Sequence, residues 1–288
     1  MRKFFRYVLA NVRPPAVAGQ FYPANPAKLR RTVENFLREV KTAAGPACVA
    51  GAASSRRRPA PKAIIVPHAG YAYSGPVAAS AYVQLMPARD TIKRVVLLGP
   101  SHFMLFNGLA TTGAAAFTTP LGAVPVDTAA IAEICSRLPQ VRVGDGAHAD
   151  EHALEVQLPF LQVVLADFKI IPLLVGDARD EEVTEVIESL WGGDETRFVI
   201  SSDLSHYHDY QTAQQTDSET ARVIESLDWK AFGVDQACGR MPICGLLCAA
   251  KERGLRCRAV DLRNSGDTSG ERDRVVGYGA FVFTERET

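Results

Sequence analysis

The residues of this sequence best suited to chemistry are its histidines. All six lie in four short motifs, PHAGYAYSG, GPSHF, HADEH and SDLSHYH, and three of these motifs directly follow apolar segments. Neutral imidazole is the commonest side-chain ligand for transition metals and a frequent general base. A single histidine is more often structural, but three groups at predicted strand ends indicate a metal-binding or proton-transfer site.

Two of these motifs pair a histidine with a carboxylate. Asp203 precedes His206 by three residues after a predicted strand, and Glu151 directly precedes His152. A carboxylate that accepts a hydrogen bond from an imidazole fixes the tautomer and orientation of the ring. We therefore predict that Asp203 orients His206, which would act as a ligand or a base, and that Glu151 and His152 form a second such pair.

Cys238 is a further candidate, because it lies just before a predicted helix that Pro242 helps to start. A thiolate there is stabilised by the positive end of the helix dipole and by any metal ion nearby. The alternative is a small buried apolar residue, and the sequence leaves both interpretations open. For Cys244 and Cys248, one helical turn apart in an apolar segment, burial in the core is the better interpretation.

Two apolar strands are expected to position the first two histidine motifs. Residues 63–66 (AIIV) and 95–98 (VVLL) are continuous apolar runs, and the turns after them carry His68 and His102. A predicted helix over 76–86 connects them into a βαβ unit of parallel strands buried on both faces. Ligands of such sheets bind beyond the carboxyl ends of the strands. If the two strands are neighbours, about 5 Å apart, both imidazoles reach one point.

The alternation of helices and strands predicts an α/β fold, a single three-layer α/β/α domain over residues 1–288 with a central mixed, largely parallel sheet. Asn107–Val126, rich in Gly, Ala and Thr, is predicted to form a hairpin-like excursion, and residues 42–61 an exposed loop. The other predicted strands are 169–176, 197–201, 256–262 and 278–283, and the other predicted helices are 26–40, 127–138, 148–165 (kinked at Pro159), 180–190, 212–227 and 241–253.

Composition narrows the function classes. Lys plus Arg and Asp plus Glu number 32 each, so the formal net charge is zero and no basic surface for nucleic acid is indicated. No apolar run reaches the roughly 18–20 residues of a membrane span, and the N-terminal residues do not resemble a signal peptide. The six cysteines form no CxxC pair, which is typical of reduced thiols in a cytoplasmic protein.

The order of the motifs resembles the Memo family (mediator of cell motility), whose bacterial and archaeal members are called AmmeMemoRadiSam system protein B. That family is similar in turn to class III extradiol dioxygenases of the LigB type, so the resemblance implies a LigB-like fold. It covers almost the whole chain through RPPAVAGQFYP, VPHAGYAYSGPVAA, LLGPSHF, TPLGAVPVD, DEHALEVQLPFL, IIPLLVGD, ISSDLSHY, CGRMPICGLL and GYGAFVF.

The resemblance also implies a set of metal ligands. His68 and His102 match the two histidine ligands of the dioxygenases, and Cys238 stands where those enzymes have a glutamate ligand. Two histidines and a carboxylate suit Fe(II) and O₂, whereas two histidines and a thiolate form a softer set that suits copper, zinc or iron. We therefore expect one transition metal ion per chain, iron or copper first and zinc second, without carrying over ring cleavage.

Three more residues are implied to act in the same pocket. His206 matches the active-site histidine that serves as a base or supports the site, Asp203 lies beside it, and His152 belongs to the DEH motif. The expected ligand of the pocket is a small molecule or a peptide. The name of the bacterial members implies a radical-SAM protein and an AMMECR-type protein as partners.

Three functions follow as hypotheses. The first is a mononuclear metal-dependent oxidoreductase, dioxygenase-like in its site, with an unassigned substrate. The second is a non-catalytic adaptor that binds a peptide or phosphopeptide in the same pocket, as the animal relative is described to do. The third is a zinc-dependent hydrolase. A serine hydrolase is disfavoured, because Ser201, Asp203 and His206 are sequence neighbours and no GxSxG motif is present.

Overall fold

A computed structural model describes residues 11–43, 60–268 and 270–285 of the chain. Most of the predicted loop at 42–61, including Arg56–Arg58, lies outside these ranges. The helices are α1 Pro26–Ala43, α2 Tyr71–Tyr82, α3 Thr128–Arg137, α4 Asp145–His148, α5 Leu158–Val164, α6 Asp180–Ser189, α7 Tyr210–Glu225, α8 Arg240–Glu252 and α9 Ser265–Thr268. The strands are β1 Val12–Arg13, β2 Ala63–Val66, β3 Arg94–Pro100, β4 Leu109–Thr111, β5 Ala116–Thr119, β6 Gly122–Pro125, β7 Val141–Val143, β8 Lys169–Val175, β9 Thr196–Ser201, β10 His206–His208, β11 Arg256–Asn264 and β12 Val275–Thr284.

The central sheet is mixed and parallel at its middle. Its strand order is β10-β12-β2-β9-β3-β8-β4-β7, and β11 pairs with β12 beside that path. The four strands β2, β9, β3 and β8 run parallel, and their residues are almost all buried, as expected for strands covered on both faces. Their carboxyl ends therefore lie at one edge of the sheet.

Helices cover the sheet in two layers. Helix α2 packs on β2 and β12 and carries α1 and α5 outside it, whereas α8 packs on β3 and β9 beside α6, and α7 packs on β11 and β12. In α1 the residues Leu29, Val33 and Leu37 recur every four positions and are buried, which is the apolar stripe of a surface helix. Among the described residues, no helix is both long and apolar enough to cross a membrane.

The excursion predicted at 107–126 is a hairpin only in its second half. Strands β5 and β6 form the antiparallel hairpin, and β1 near the N-terminus pairs with β5 in parallel, which makes a small three-stranded sheet. The first half of the segment joins the central sheet instead, because β4 pairs with β7 and β8. The pairing of β1 with β5 thereby fixes Val12 and Arg13 beside the hairpin.

Most of the predicted elements are confirmed, but the helix predicted over 76–86 is wrong in its bounds. Helix α2 begins at Tyr71, since the backbone N–H groups of Tyr73 and Ser74 donate to the carbonyl of Gly70. Pro76 lies inside this helix, where the carbonyl that loses its hydrogen bond belongs to Ala72, which is exposed to water. A tighter 3₁₀ turn then covers Val83–Ala88.

The single helix predicted over 148–165 is also wrong. Helix α4 ends at His148, a non-helical segment carries the DEH motif, and a 3₁₀ turn at Glu155–Gln157 leads into α5. Pro159 lies in the first turn of α5, a position that tolerates proline because the N–H there has no intrahelical partner, so it does not kink the helix. Because the backbone of the DEH motif is not helical, Glu151 can reach His102 at the end of β3.

The two strands that carry the first histidine motifs are not neighbours. Strand β9 lies between β2 and β3 and pairs with both, so that Phe198 lies opposite Ala63 on one side and Val96 on the other. Two strand spacings separate β2 from β3, about 10 Å instead of about 5 Å. Any meeting of His68 and His102 must therefore take place above the end of β9.

Candidate metal centre

His68 lies two residues after β2, and its side chain is buried. Its backbone N–H donates to Asp203 Oδ1 at 2.8 Å, and its Nδ1 lies 3.0 Å from Ser201 Oγ. Burial, followed by the nearby His102, lowers the pKa of His68 well below the ordinary value of an imidazole. The ring is therefore neutral at physiological pH, with Nε2 available on its other side.

His102 lies two residues after β3 and is oriented by Glu151. Its Nδ1 is 2.9 Å from Glu151 Oε1, and its backbone N–H donates to Glu151 Oε2 at 2.6 Å. Burial alone would raise the pKa of Glu151, but the hydrogen bonds from His102 and Ala153 outweigh it and lower that pKa, so the carboxyl is ionised. A carboxylate only accepts, so His102 donates from Nδ1 and keeps Nε2 free.

Cys238 reaches the same point from the turn before α8. Its Sγ lies 3.3 Å from His68 Nε2. The neighbouring Gly239 packs so closely on β9 that a Cβ there would lie 2.6 Å from Ser202 Cβ, which is why the turn can approach the strand end. Burial, and then the charge of Asp203, raise the pKa of Cys238 to about 12, so the thiol stays protonated in the metal-free chain.

One ring nitrogen of His68, one of His102 and the sulfur of Cys238 lie within 4.8 Å of one another. Ligand atoms on a tetrahedral metal ion with N and S ligands are roughly 3.3–3.8 Å apart. The separation of Cys238 Sγ from His68 Nε2 already fits, and small side-chain shifts bring in His102. The side chain of His102 is 28% exposed, so one side of this group is open to an external ligand. The donor set therefore fits a single transition metal ion.

The rings of His68 and His102 meet above β9, with their centroids 5.1 Å apart. Strand β9 ends at Ser201 and is followed by Ser202, and the small side chains of these two serines leave room there for the two imidazoles. The sequence prediction that the two histidines converge therefore agrees with the structure, although the strand adjacency behind it does not.

His152 and His206 border this group. The ring of His152 lies 4.8 Å from that of His102 and 5.5 Å from that of His68, centroid to centroid. Its Nδ1 is 3.3 Å from Glu151 Oε1, so the predicted pair is present, but the shorter contact of that carboxylate is with His102. Burial lowers the pKa of His152 and of His206, which makes both neutral imidazoles able to accept a proton.

Asp203 faces the backbone beneath the site. Its carboxylate accepts hydrogen bonds from the N–H groups of His68 and Ala69, and these are its contacts in place of the predicted one with His206. Burial raises the pKa of Asp203 to about 7, and the hydrogen bond from His68 opposes that rise. The residue fixes the turn that presents His68 to the sheet edge.

Exposed aromatic side chains lie near the site histidines, since the ring of Phe103 is 6.0 Å from that of His152 and the ring of Tyr207 is 5.8 Å from that of His206. Tyr73, Phe103 and Tyr207 are 45%, 65% and 64% exposed, and each follows a site histidine closely in the chain. Tyr207 has a φ of 63°, the left-handed conformation that is uncommon for an aromatic residue, and Arg274 lies 5.0 Å from its ring centroid. We call Tyr73, Phe103 and Tyr207 the aromatic rim.

A second buried polar group supports the DEH motif, and sequence reasoning missed it. Arg13 forms an ion pair with the fully buried Glu155 and donates to the carbonyls of His148 and Glu151. Glu155 also accepts from the N–H groups of residues 16 and 17 and from Tyr22 Oη, at 2.6–3.0 Å. We call Arg13, Tyr22 and Glu155 the Arg13–Glu155 network.

A signal for this network was present in the sequence. Glu155 and Gln157 interrupt the otherwise apolar run ALEVQLPFL, and a charged residue among apolar neighbours is a buried group that requires a partner. The pattern does not identify the partner, because Arg13 lies 142 residues away. The same holds for Gln157, which contacts Ser201 and Tyr82.

Comparison with known proteins finds one family over nearly the full length. A family model described as Memo-like protein matches residues 13–282. A MEMO1 family protein of Sulfolobus acidocaldarius is 35% identical over 287 residues, which cover 94% of this chain and 99% of that protein. A MEMO1 family protein of Ignicoccus hospitalis is 37% identical over 291 residues, which cover 94% and 98%.

Among solved structures, an uncharacterized protein of Escherichia coli K12 shares the fold. It superposes with a TM-score of 0.52 at 11% sequence identity, and the match covers 76% of this chain and 98% of that one. Identity this low supports likeness of fold alone. The α/β architecture predicted from the sequence is thereby confirmed.

Proposed function

Since this chain belongs to the Memo-like protein family, we propose that it is a metal-dependent redox protein that holds one ion through His68, His102 and Cys238. The observation that carries the proposal is the convergence of three ligand atoms from three separate segments. In both histidines Nδ1 already contacts a side chain of the site, so Nε2 is the nitrogen that each ring can offer to a metal ion.

Iron or copper is the ion we propose first. Either would supply one-electron chemistry and O₂ activation at the open side, whereas zinc would supply Lewis acidity alone. The residues around the ion would then handle the substrate. His152 and His206 are neutral and can take a proton from a substrate bound beside His102, and the aromatic rim can hold an apolar part of that substrate.

Elemental analysis of anaerobically purified protein tests this proposal. We expect about one iron or copper per native chain, and its loss in His68→Ala and in Cys238→Ser. The matched control is His208→Ala, since His208 is an exposed histidine outside the group and its removal should leave the metal in place. Native protein without metal, or equal metal in all four proteins, would refute the ligand assignment. Zinc alone in the native site would favour a hydrolase.

A peptide-binding adaptor is the second candidate, and the exposure of the aromatic rim favours it. Three large exposed rings that closely follow site histidines in the chain are an unusual surface for a protein without a partner there. Binding of a peptide library to metal-free His68→Ala protein tests it, since an adaptor should bind without the ion. Saturable peptide binding by the metal-free protein would favour the adaptor, provided that Phe103→Ser and Tyr73→Ser weaken it. If the metal-free protein binds no peptide, the redox protein is favoured.

We also propose a cytoplasmic location. The five cysteines among the described residues, Cys135, Cys238, Cys244, Cys248 and Cys257, are free thiols. Free thiols persist in the reducing cytoplasm. Labelling with a thiol reagent immediately after cell lysis tests this, and substantial oxidation of these residues in the fresh lysate would contradict it.

A further inference from the structure

The tautomer of His68 is set by the groups around its Nδ1, which can either donate or accept a hydrogen bond. The only polar side-chain atom within hydrogen-bond distance of Nδ1 in the described part of the chain is Ser201 Oγ, at 3.0 Å. A hydroxyl has one hydrogen to donate and two lone pairs that accept. The backbone of Ser201 also interacts with the ring, and the carbonyl there can only accept. The role of the side chain then depends on where the hydroxyl hydrogen of Ser201 goes.

The hydroxyl of Ser201 is already committed. It lies 2.6 Å from the carbonyl of Ala153, which can only accept, so the hydroxyl hydrogen points there. Gln157 Nε2 lies 2.8 Å from the same hydroxyl and donates to one of its lone pairs. Ser201 then offers His68 only its second lone pair, so His68 must donate from Nδ1.

The orientation of the Gln157 amide is fixed in turn. Its Nε2 lies 2.9 Å from the carbonyl of Pro67, which would be left facing an oxygen if the amide were reversed. Its Oε1 accepts from Tyr82 Oη at 2.9 Å. The side chains of Gln157, Tyr82 and Ser201 are all buried, so water does not compete for these hydrogen bonds.

We propose that Ser201, Gln157 and Tyr82 are positioning residues that hold His68 as the Nδ1–H tautomer and direct the lone pair of Nε2 at Cys238. The inference deepens the proposed function, and it rests on that proposal for the role of the Nε2 lone pair as a metal ligand. The two histidines also differ in their acceptors, because His102 donates to the ionised Glu151 whereas His68 donates to a neutral hydroxyl. Loss of such an outer partner commonly weakens metal binding about 10–100-fold.

The first test needs no metal. In the metal-free native protein, the long-range ¹H–¹⁵N spectrum of the histidine side chains should show His68 protonated at Nδ1 and unprotonated at Nε2, with the signal assigned by its absence from His68→Gln. A neutral histidine free in water prefers the opposite tautomer, so a merely structural role for Ser201 would not produce this pattern. Protonation at Nε2, or a mixture in exchange, overturns the inference.

The second test joins the tautomer to metal affinity. We expect Ser201→Ala to shift His68 towards the Nε2–H tautomer and to raise the dissociation constant for Fe(II), measured anaerobically, about 10–100-fold. Ser201→Thr keeps the hydroxyl and should restore both. Ser80→Ala is the matched control, since Ser80 is a buried serine whose hydroxyl donates to Asp261 at 2.8 Å, and it should change neither.

The outcomes separate the two proposals. If Ser201→Ala leaves the tautomer and the Fe(II) affinity as in the native chain, the positioning role is refuted. If Ser201→Ala does not fold, the tautomer of native His68 decides in its place. If native His68 is the Nδ1–H tautomer but the chain binds no Fe(II), the tautomer assignment holds and the proposed function fails.

Discussion

Two buried polar groups lie beside the DEH motif, and they differ in how many of their polar atoms have hydrogen-bond partners. In the Arg13–Glu155 network, a guanidinium and a carboxylate meet, and their remaining hydrogen-bonding atoms are taken up by carbonyls, N–H groups and a phenol. In the group of His68, His102 and Cys238, three atoms able to bind a cation face one another instead. The first group satisfies its own hydrogen bonds, whereas the second presents a shared set of atoms able to bind a metal ion.

The largest expected effect comes from breaking the self-satisfied group. Glu155→Ala leaves the guanidinium of Arg13 buried without its carboxylate, and it leaves Tyr22 Oη without an acceptor. We expect a loss of about 3–5 kcal/mol in the free energy of unfolding, measured by urea denaturation of the metal-free protein. The control is Glu188→Ala, which breaks the partly exposed ion pair with Arg253 and should cost at most about 1 kcal/mol. Equal costs would contradict the contrast.

A buried histidine on the structural side of the DEH motif should make stability depend on pH. Burial lowers the pKa of His148 to about 4, and its hydrogen bond with the Ala110 carbonyl opposes that change. In the unfolded chain the pKa of this histidine is about 6.5. The unfolded chain therefore binds the extra proton between these values, so stability falls as pH falls from about 6.5 to about 4, by up to about 3 kcal/mol.

His148→Gln tests this expectation, because glutamine can keep a donor near the carbonyl without titrating. Chemical denaturation at pH 7 and pH 5 should show a smaller loss on acidification for the variant than for the native chain. His208→Gln, at an exposed histidine, serves as the control and should follow the native chain. A variant that loses as much stability as the native chain would show that His148 does not titrate as assigned.

Removing a ligand should cost much less stability than removing Glu155. In His102→Ala the carboxylate of Glu151 keeps its hydrogen bonds from the backbone N–H groups of residues 102 and 153, so no buried charge is abandoned. We expect a change of at most about 1 kcal/mol in the metal-free protein together with loss of the bound metal. A cost as large as that of Glu155→Ala would place His102 with the structural group.

The smallest effect should come from an apolar residue that is almost fully exposed in the described structure. Leu105, beside the aromatic rim, is 99% exposed. Leu105→Ser should change the free energy of unfolding by no more than about 0.5 kcal/mol and leave the metal content unaltered. Denaturation curves and elemental analysis of this variant set the baseline for the larger effects, and a cost above 1 kcal/mol would show a contact that the fold does not display.

The sequence predicted which histidines converge but not the strand order that brings them together. Continuous apolar runs placed His68 and His102 at strand ends correctly, because that pattern is local. The insertion of β9 between the two strands depends on pairing across more than 100 residues, which no local period records. The small residues that end β9 then allowed the same convergence by another route.

The contacts that complete the site were beyond local patterns as well. Cys238 is 170 residues from His68, and its position before a helix start left open whether it is a reactive thiol or a buried apolar residue, without indicating its neighbour. The DEH motif was read as helix because its residues suit one, and tertiary hydrogen bonds from Arg13 hold it in another conformation. A resemblance over almost the whole chain implied the set of candidate ligands that spacing alone left open.

The long sequence separation within each group has a consequence for synthesis on the ribosome. Arg13 emerges early but finds Glu155 only after 142 further residues, and Cys238 follows later still. At about 5–20 residues per second, the support of the DEH motif can form some seconds before the thiol leaves the exit tunnel. The nascent chain therefore exposes both histidines before Cys238 emerges, and an ion captured at that stage would meet nitrogen ligands alone.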